Sequence, residues 1–377
     1  MNTDLEKSNK MTRYKLSLLI AFSLILFISI QGYPSEQRYQ VTGRVVDTET
    51  GKPVPAVNVF LTNTTMGSAT DKNGAFRIRY IPPGTYDLFI DHIAYERHIE
   101  HLDLFLNDVL DLEIKLKPTV LEGEIVEISA RNIERRKRRL ETFIDQFIGT
   151  SKNAKHCRLL NDDRIIFSED SLTGALIAEA DTVLLVENSA LGYRIDIYLK
   201  SFHYEEDFIN YLIYPRFYEM TSEDDGPIKK WEKNRQDIYE GSLRHFFATL
   251  AQGKYKSSRF EIYRGYIHPE TAKLTTLGIP IRSRFPEFVY DEPIEELKRI
   301  AFNDFLIVQY KDFTKMTGSV RVGRLEPYPT SFLEMKVLTA TINIYGHYRP
   351  HNAFKVYGVW ASQRVADLLP LDFIPDE

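Results

Sequence analysis

Between Tyr39 and Leu116 short apolar runs alternate with turn residues. In "AFRIRYI", Phe76, Ile78 and Tyr80 fall on one side and Arg77 and Arg79 on the other. That two-residue period is the signature of a half-buried strand. "LDLEIKLK" repeats it, with Leu110, Leu112, Ile114 and Leu116 on one face and charges on the other. "VTGRVVD" and "AVNVFLT" supply two more strands, separated by Gly51 and Pro53. Asn73-Gly74 predicts a tight type I′ hairpin turn, and Pro82-Pro83-Gly84 a second corner. Strands at this spacing, joined by such turns, predict an all-β antiparallel sandwich over residues 39–129.

The pattern changes after residue 130. In "RNIERRKRRLETFIDQFIGTS" the apolar residues Leu140, Phe143, Ile144, Phe147 and Ile148 recur at helical spacing, and Gly149 supplies a stop. This predicts a linker helix over 130–149, with the basic run Arg135 to Arg139 on its solvated first turns. Beyond it, "RIIFSED", "ALIAEADTVLLVEN", "YRIDIYLKSFHYEE", "FLIVQYKDF", "FLEMKVLTATINIYG" and "FKVYGVWAS" read as strands. "IKKWEKNRQDIYEGSLRHFFATLAQGK" reads as one helix anchored by Trp231, Ile238, Phe246 and Leu250, with Gly241 a point of strain or a break. "PIEELKRI" reads as a short helix. Residues 150–377 are thus expected to form a β-rich α+β domain of unassigned type.

Composition adds two constraints. The chain carries 48 Lys and Arg against 53 Asp and Glu, a net charge of -5, so it lacks the basic excess of a nucleic-acid binder. Its only cysteine is Cys157, so no intrachain disulfide can form and the fold must rest on its core. Near the N-terminus, Arg13 and Lys15 precede an uncharged apolar run from Leu16 to Ile30, and Gln31 and Gly32 follow. A basic start, a short apolar stretch and small residues after it predict a signal peptide over 1–32. The run is short for a spanning helix, although retention as a single anchor is the alternative. The expected address is therefore the periplasm or the outer membrane, and no Cys follows the run to take a lipid.

The turn residues of the first segment carry a resemblance. "GRVVDTETGKPVPAVNVFLTNTTMGSATDKNGAFRIRYIPPGTYDLFIDHIAY" resembles the carboxypeptidase regulatory-like domain, a transthyretin-like (prealbumin-like) β-sandwich. Gly43, Val45, Asp47, Gly51, Pro53, Val54, Ala56, Val59, Gly67, Thr70, Asp71, Gly74, Phe76, Pro83, Gly84 and Tyr86 are the matching positions. The resemblance implies an accessory module without catalytic residues of its own. In bacterial envelope proteins such a module often precedes another unit, outer-membrane transporters included. "LEGEIVEIS" at 121–129 is similar to the segment after the module in those transporters, and its pattern also fits one more strand with Ile125, Val126 and Ile128 partly buried. The whole chain resembles exported bacterial proteins that join this sandwich to an uncharacterised second unit.

His203 and Glu206 match a His-x-x-Glu zinc motif, with His347 or His351 available as a third ligand. On an alternating strand, however, i and i+3 project to opposite faces, so convergence is not expected. His98, Glu100 and His101 lie in the sandwich under the same objection. Ser242 and His245 are one helical turn apart, but no G-x-S-x-G elbow accompanies them, and Arg244 between them is expected at the surface. Cys157 follows His156 and reads as a small buried hydrophobe. "DKNGAF" resembles part of a calcium loop but lacks the closing carboxylate. No catalytic, cofactor-binding or metal residue is assigned, and no cofactor is expected. The sequence reading is an exported, non-enzymatic cell-envelope protein that binds or scaffolds a protein, peptide or glycan. The basic run allows peripheral contact with acidic lipid or polysaccharide. The alternatives are a zinc-dependent carboxypeptidase-like hydrolase and an accessory to an outer-membrane transporter.

Overall fold

A computed structural model describes residues 39–105, 109–119, 130–206, 208–270, 273–281, 286–312, 325, 328–350 and 352–376. The expected signal peptide and the segment 121–129 lie outside them. Residues 39–377 form one compact unit.

Its first part is the expected sandwich. Strands β1 (Tyr39–Asp47), β4 (Ala75–Ile81) and β7 (Val109–Leu116) make one sheet in the order β4-β1-β7. Strands β2 (Asn58–Leu61), β3 (Gly67–Ala69), β5 (Gly84–Asp91) and β6 (His98–Leu104) make the other, in the order β3-β2-β5-β6. Pairing is antiparallel except between β1 and β7, which run parallel from Gln40↔Val109 to Asp47↔Leu116. Val41, Val45, Val59, Leu61, Ile78, Leu88, Ile90 and Ile114 fill the space between the sheets. "VFL" in β2 and "LFI" in β5 do not alternate because this sheet is buried on both sides. Val59, Leu61, Leu88 and Ile90 face the sandwich core, while Phe60 and Phe89 face outward against Tyr198.

Two corners differ from expectation. Asn73-Gly74 is not a type I′ hairpin, since only Gly74 has positive φ (73°) and the turn crosses from one sheet to the other. The Asp71 carboxylate sets its shape by accepting the N–H groups of Asn73 (2.8 Å) and Ala75 (2.9 Å). Tyr80 leaves the face of Phe76 and Ile78: its φ of 60° turns it outward to 70% exposure, and Ile81 is buried instead. The β1–β4 register shifts at this point, between Tyr39 and Val41.

Helix α1 (Ala130–Phe147) follows, and its apolar stripe seats Phe143 and Phe147 in a second core. Of the basic run, Arg136 donates to the carbonyls of Asp162 (2.6 Å) and Ile165 (2.7 Å), and Arg139 pairs with Glu169. These two bases are therefore tethered to the adjoining sheet. That sheet comprises β8 (Cys157–Leu159), β9 (Ile165–Glu169), β10 (Leu176–Ala180), β11 (Leu184–Asn188), β12 (Tyr193–Glu205) and β13 (Phe208–Glu219). The long β12 is its spine, pairing with β11 and β10 and, over its whole length, with β13.

The expected long helix is two, α2 (Asp225–Tyr239) and α3 (Leu243–Ala251). They break at Gly241, whose φ is 77° and whose missing Cβ would lie 2.8 Å from the Tyr310 ring. A five-stranded antiparallel sheet comes next, from β14 (Phe260–Ile267), β15 (Leu274–Ile281), β18 (Phe305–Tyr310), β19 (Thr330–Met335) and β22 (Phe354–Gly358). Beside it stand β16 (Val289–Asp291), β17 (Leu297–Ile300), β20 (Ala340–Asn343) and β21 (Tyr348–Arg349). The short α4 (Val359–Ser362) brings Trp360 onto Phe246. "PIEELKRI" is thus a turn and strand β17, not a helix. Its last four residues pair with β20 and bury Ile300 in the third core, overriding the helical propensity of Glu-Glu-Leu-Lys.

Gly43 tests the parallel pair. A Cβ there would lie 2.4 Å from the Leu112 carbonyl and 2.7 Å from the Phe76 ring. Gly43→Ala is expected to cost about 2–3 kcal/mol. Gly51→Ala, at φ 65° but in open space, is expected to cost about 1 kcal/mol. Urea midpoints of the two variants check the order.

Candidate functional site

The last residues of the chain run from the second core to the sandwich core. Ala366 N–H donates to the Ile148 carbonyl (3.1 Å), and the Ala366 carbonyl accepts from Asn188 Nδ2 (3.0 Å). The Asp367 carboxylate accepts from Ser151 (3.0 Å) and Asn153 (2.9 Å), which ties the segment to the loop after α1. Leu371 packs into the sandwich core, and its N–H donates to the Asn63 carbonyl (2.6 Å). Asp372 accepts the backbone N–H of Thr65 (3.0 Å) and also its hydroxyl. Asp376 N–H reaches Gln236 on α2 (3.1 Å).

One side chain gathers this strap. Arg244, expected at the surface, is half-buried, and its guanidinium is turned inward to donate to four backbone carbonyls: Tyr345 (3.0 Å), Pro370 (2.8 Å), Leu371 (2.7 Å) and Phe373 (2.7 Å). Burial lowers its basicity, and the carbonyl dipoles stand in for lost water. The neighbouring turn comes so close that a Cβ on Gly346 would lie 2.0 Å from the Arg244 carbonyl oxygen.

The strap walls a cleft of about 520 Å³, opposite the β12 and β13 ends and α2. Its polar lining includes Glu219, Glu232, Arg235, Asp372 and Asp376, and Tyr193 and Phe373 supply rings. Arg235 is held in place by the carbonyls of Leu191 (2.8 Å) and Gly192 (3.3 Å), by Glu219 (3.0 Å), and by lying 4.0 Å over the Tyr193 ring. Four carboxylates against one tethered arginine give the cleft an acidic lining. Two smaller cavities flank His347: one of about 290 Å³ that also reaches Tyr239, Arg244 and Asp367, and one of about 180 Å³ that reaches Asp103, Asn343 and Arg349.

The residues singled out by sequence lie apart. His203 is on the half-exposed end of β12, 3.9 Å from Glu205, while Glu206 sits in the following turn at φ 42°. His347 is buried in the turn between β20 and β21, where its Nε2 faces the Leu371 carbonyl (3.3 Å). Burial, reinforced by the Arg244 charge, holds this imidazole down at a pKa of about 3, so it is neutral. His351 lies outside the described residues. Among the described residues no group of three or more His, Cys, Asp or Glu is placed to hold a metal ion. His98 pairs with Glu100 (3.2 Å), and His101 with the buried Asp87 (2.5 Å), which Arg349 also approaches (3.5 Å). Ser242 caps α3 by accepting the His245 N–H (3.1 Å). The His245 ring stacks on Tyr239 and accepts the Gly241 N–H at Nδ1 (3.0 Å). Both are committed to the helix break. Sequence reading missed Arg244 and the strap because an isolated Arg between Leu and His carries no local mark of burial.

Residues 41–128 match the family model described as the CarboxypepD_reg-like domain. This segment is a carboxypeptidase regulatory-like β-sandwich, as the turn residues implied. Solved structures with some likeness include a type II cohesin–X-dockerin complex from Acetivibrio cellulolyticus, at 21% identity over 21% of this chain and 58% of that one, TM-score 0.19. Catechol 1,2-dioxygenase from Acinetobacter sp. ADP1 matches at 13% identity over 26% and 59%, TM-score 0.19. The shaft pilin SpaA from Lactobacillus rhamnosus GG matches at 12% identity over 23% and 49%, TM-score 0.19. In each, the match spans less than two thirds of the neighbour. A comparison with curated proteins gives no match. Among the described residues no helix is long and apolar enough to cross a membrane.

Two outcomes follow from these environments. Arg244→Met leaves four partly buried carbonyls without their donor and is expected to lower unfolding free energy by about 2–3 kcal/mol, read from denaturant melts. Burial lifts the Cys157 thiol to a pKa of about 12. Alkylation by iodoacetamide at pH 8 is expected to run about 1000-fold slower than in urea-unfolded chain, since only the thiolate reacts. Mass spectrometry of timed aliquots measures both rates.

Proposed function

We propose that the chain is an exported, non-enzymatic cell-envelope protein whose sandwich and following sheets form one scaffold for binding a protein, peptide or glycan. The observation that carries this reading is the cleft of about 520 Å³ walled by the C-terminal strap, with its rings and acidic lining. Its chemistry favours an extended peptide bearing basic side chains over a neutral glycan, because Glu219, Glu232, Asp372 and Asp376 outnumber Arg235. The nucleophile and base candidates support binding over hydrolysis. Ser242 is a helix cap, His245 an aromatic stack, and the Cys157 thiol is strongly disfavoured as thiolate. Export is proposed on the charge and hydropathy of residues 1–32.

Titration calorimetry with a lysine-containing decapeptide and with an N-acetylglucosamine tetramer tests the ligand class. Binding of the peptide is expected, weakening as salt rises, and Glu232→Gln combined with Asp376→Asn is expected to reduce affinity roughly tenfold. Tighter binding of the tetramer would move the reading to a glycan. Heat from neither probe, or stoichiometric zinc in the purified protein, would overturn it. Intact mass of chain recovered from the envelope fraction decides processing: loss of about the first 32 residues is expected on the signal-peptide pattern.

A further inference from the structure

The Leu371 carbonyl is shared by two side chains. Arg244 Nη2 donates to it at 2.7 Å, and His347 Nε2 faces it at 3.3 Å. With Nε2 carrying the proton that this carbonyl accepts, Nδ1 is left as a bare acceptor, and it is buried without a hydrogen-bond partner. A second proton on this buried ring would place a cation beside the Arg244 guanidinium and give the new N–H nothing to bond.

The surroundings offer no relief. From α3 the ring faces Arg244; from β5, Tyr86 stands edge-on at 6.2 Å; within its own turn, Tyr345 lies at 6.3 Å. Asp103 of β6 and Arg349 of β21 line the smaller neighbouring cavity, and Tyr239 of α2 and Asp367 of the strap line the larger. Among the described residues no carboxylate lies within ion-pairing distance of the ring.

We propose that His347 and Arg244 form an acid-sensitive clasp, in which protonation of His347 releases the C-terminal strap and opens the cleft that the strap walls. The release depends on the shared carbonyl and stands whether or not the cleft takes a peptide. Its sign follows from linkage. The ring in the closed clasp has its pKa depressed to about 3 from 6.5, so the open form binds more protons. Closure is therefore fully favoured above pH 6.5 and is lost as pH falls toward 3.

Hydrogen exchange of residues 368–376 in the full chain tests the clasp, with rates corrected for the intrinsic effect of pH. Between pH 7.5 and 5.0 the open fraction is expected to rise about 30-fold. His347→Gln keeps a donor for Leu371 and cannot titrate, so its strap is expected to exchange independently of pH. His101→Asn, across the seam, is expected to keep the full rise. A flat wild-type profile, or an equal rise in His347→Gln, would sink the proposal. If that variant does not fold, the imidazole ¹⁵N shifts of wild type decide: His347 titrating near pH 6.5 while the strap stays protected overturns it, and protonation coincident with strap exchange upholds it.

Discussion

The fold turns on a half-buried guanidinium whose hydrogen bonds, among the described residues, all go to backbone carbonyls. Removing Arg244 from water costs several kcal/mol even after relaxation. Four charge-assisted bonds to carbonyls, each about 1.5–3 kcal/mol, offset that cost only when all four acceptors are in place. The acceptors come from two distant parts of the chain, the turn at Tyr345 and the strap at Pro370, Leu371 and Phe373. Neither part bonds well without the other, so the arrangement is close to all-or-none. Gly346 belongs to the same constraint, because any side chain there would push the turn off α3.

A second, apolar contact fixes the sandwich to the middle sheet. Phe60, Phe89 and Tyr198 are buried together, with centroids 4.6–5.8 Å apart, and Tyr214 joins them. Burying each ring contributes on the order of 2–3 kcal/mol, and the aromatic pairs add about 0.5–1.5 kcal/mol apiece. The ion pairs at the same border are weaker. Arg97–Asp91 is substantially exposed, and such a pair is worth about 1 kcal/mol or less. Arg216 of β13 crosses the same border, donating to the Asn58 side chain and lying 5.4 Å over the Phe60 ring, so ring packing and this one arginine together set the orientation of the two sheets. That orientation also brings Thr65 of the sandwich within reach of Asp372, so the cleft wall needs both layers.

How much of this could be read from the chain depended on whether a signal was local. The stripe Leu140, Phe143, Ile144, Phe147, Ile148 announced α1 because one helix face and one core suffice to explain it. The alternation in β7 was equally plain, since that strand has one buried side. Phe60 and Phe89 were opaque: in a sandwich with one wet face they would be exposed, and only the middle sheet covers them. "PIEELKRI" misled for the related reason that propensity is weak beside four paired residues in β17. Arg244 and His347 were read as surface and metal candidates because their partners are carbonyls, which every sequence has everywhere. The strap has no period and no motif; its structure consists of where its carbonyls point.

One consequence joins the scaffold to the proposed binding role. The strap is both the closure of the fold and a wall of the cleft, so a ligand that bridges the strap and α2 necessarily stabilises the closed form. At a ligand concentration 100 times its Kd, that linkage is worth about 2.7 kcal/mol, comparable with one or two of the Arg244 bonds. The coupling is reciprocal: any condition that loosens the strap must weaken the ligand by the same factor. A cleft formed by separate rigid elements would show no such relation between stability and affinity. Here the geometry makes the two inseparable, because Asp372, the anchor of the strap on Thr65, is also part of the cleft lining.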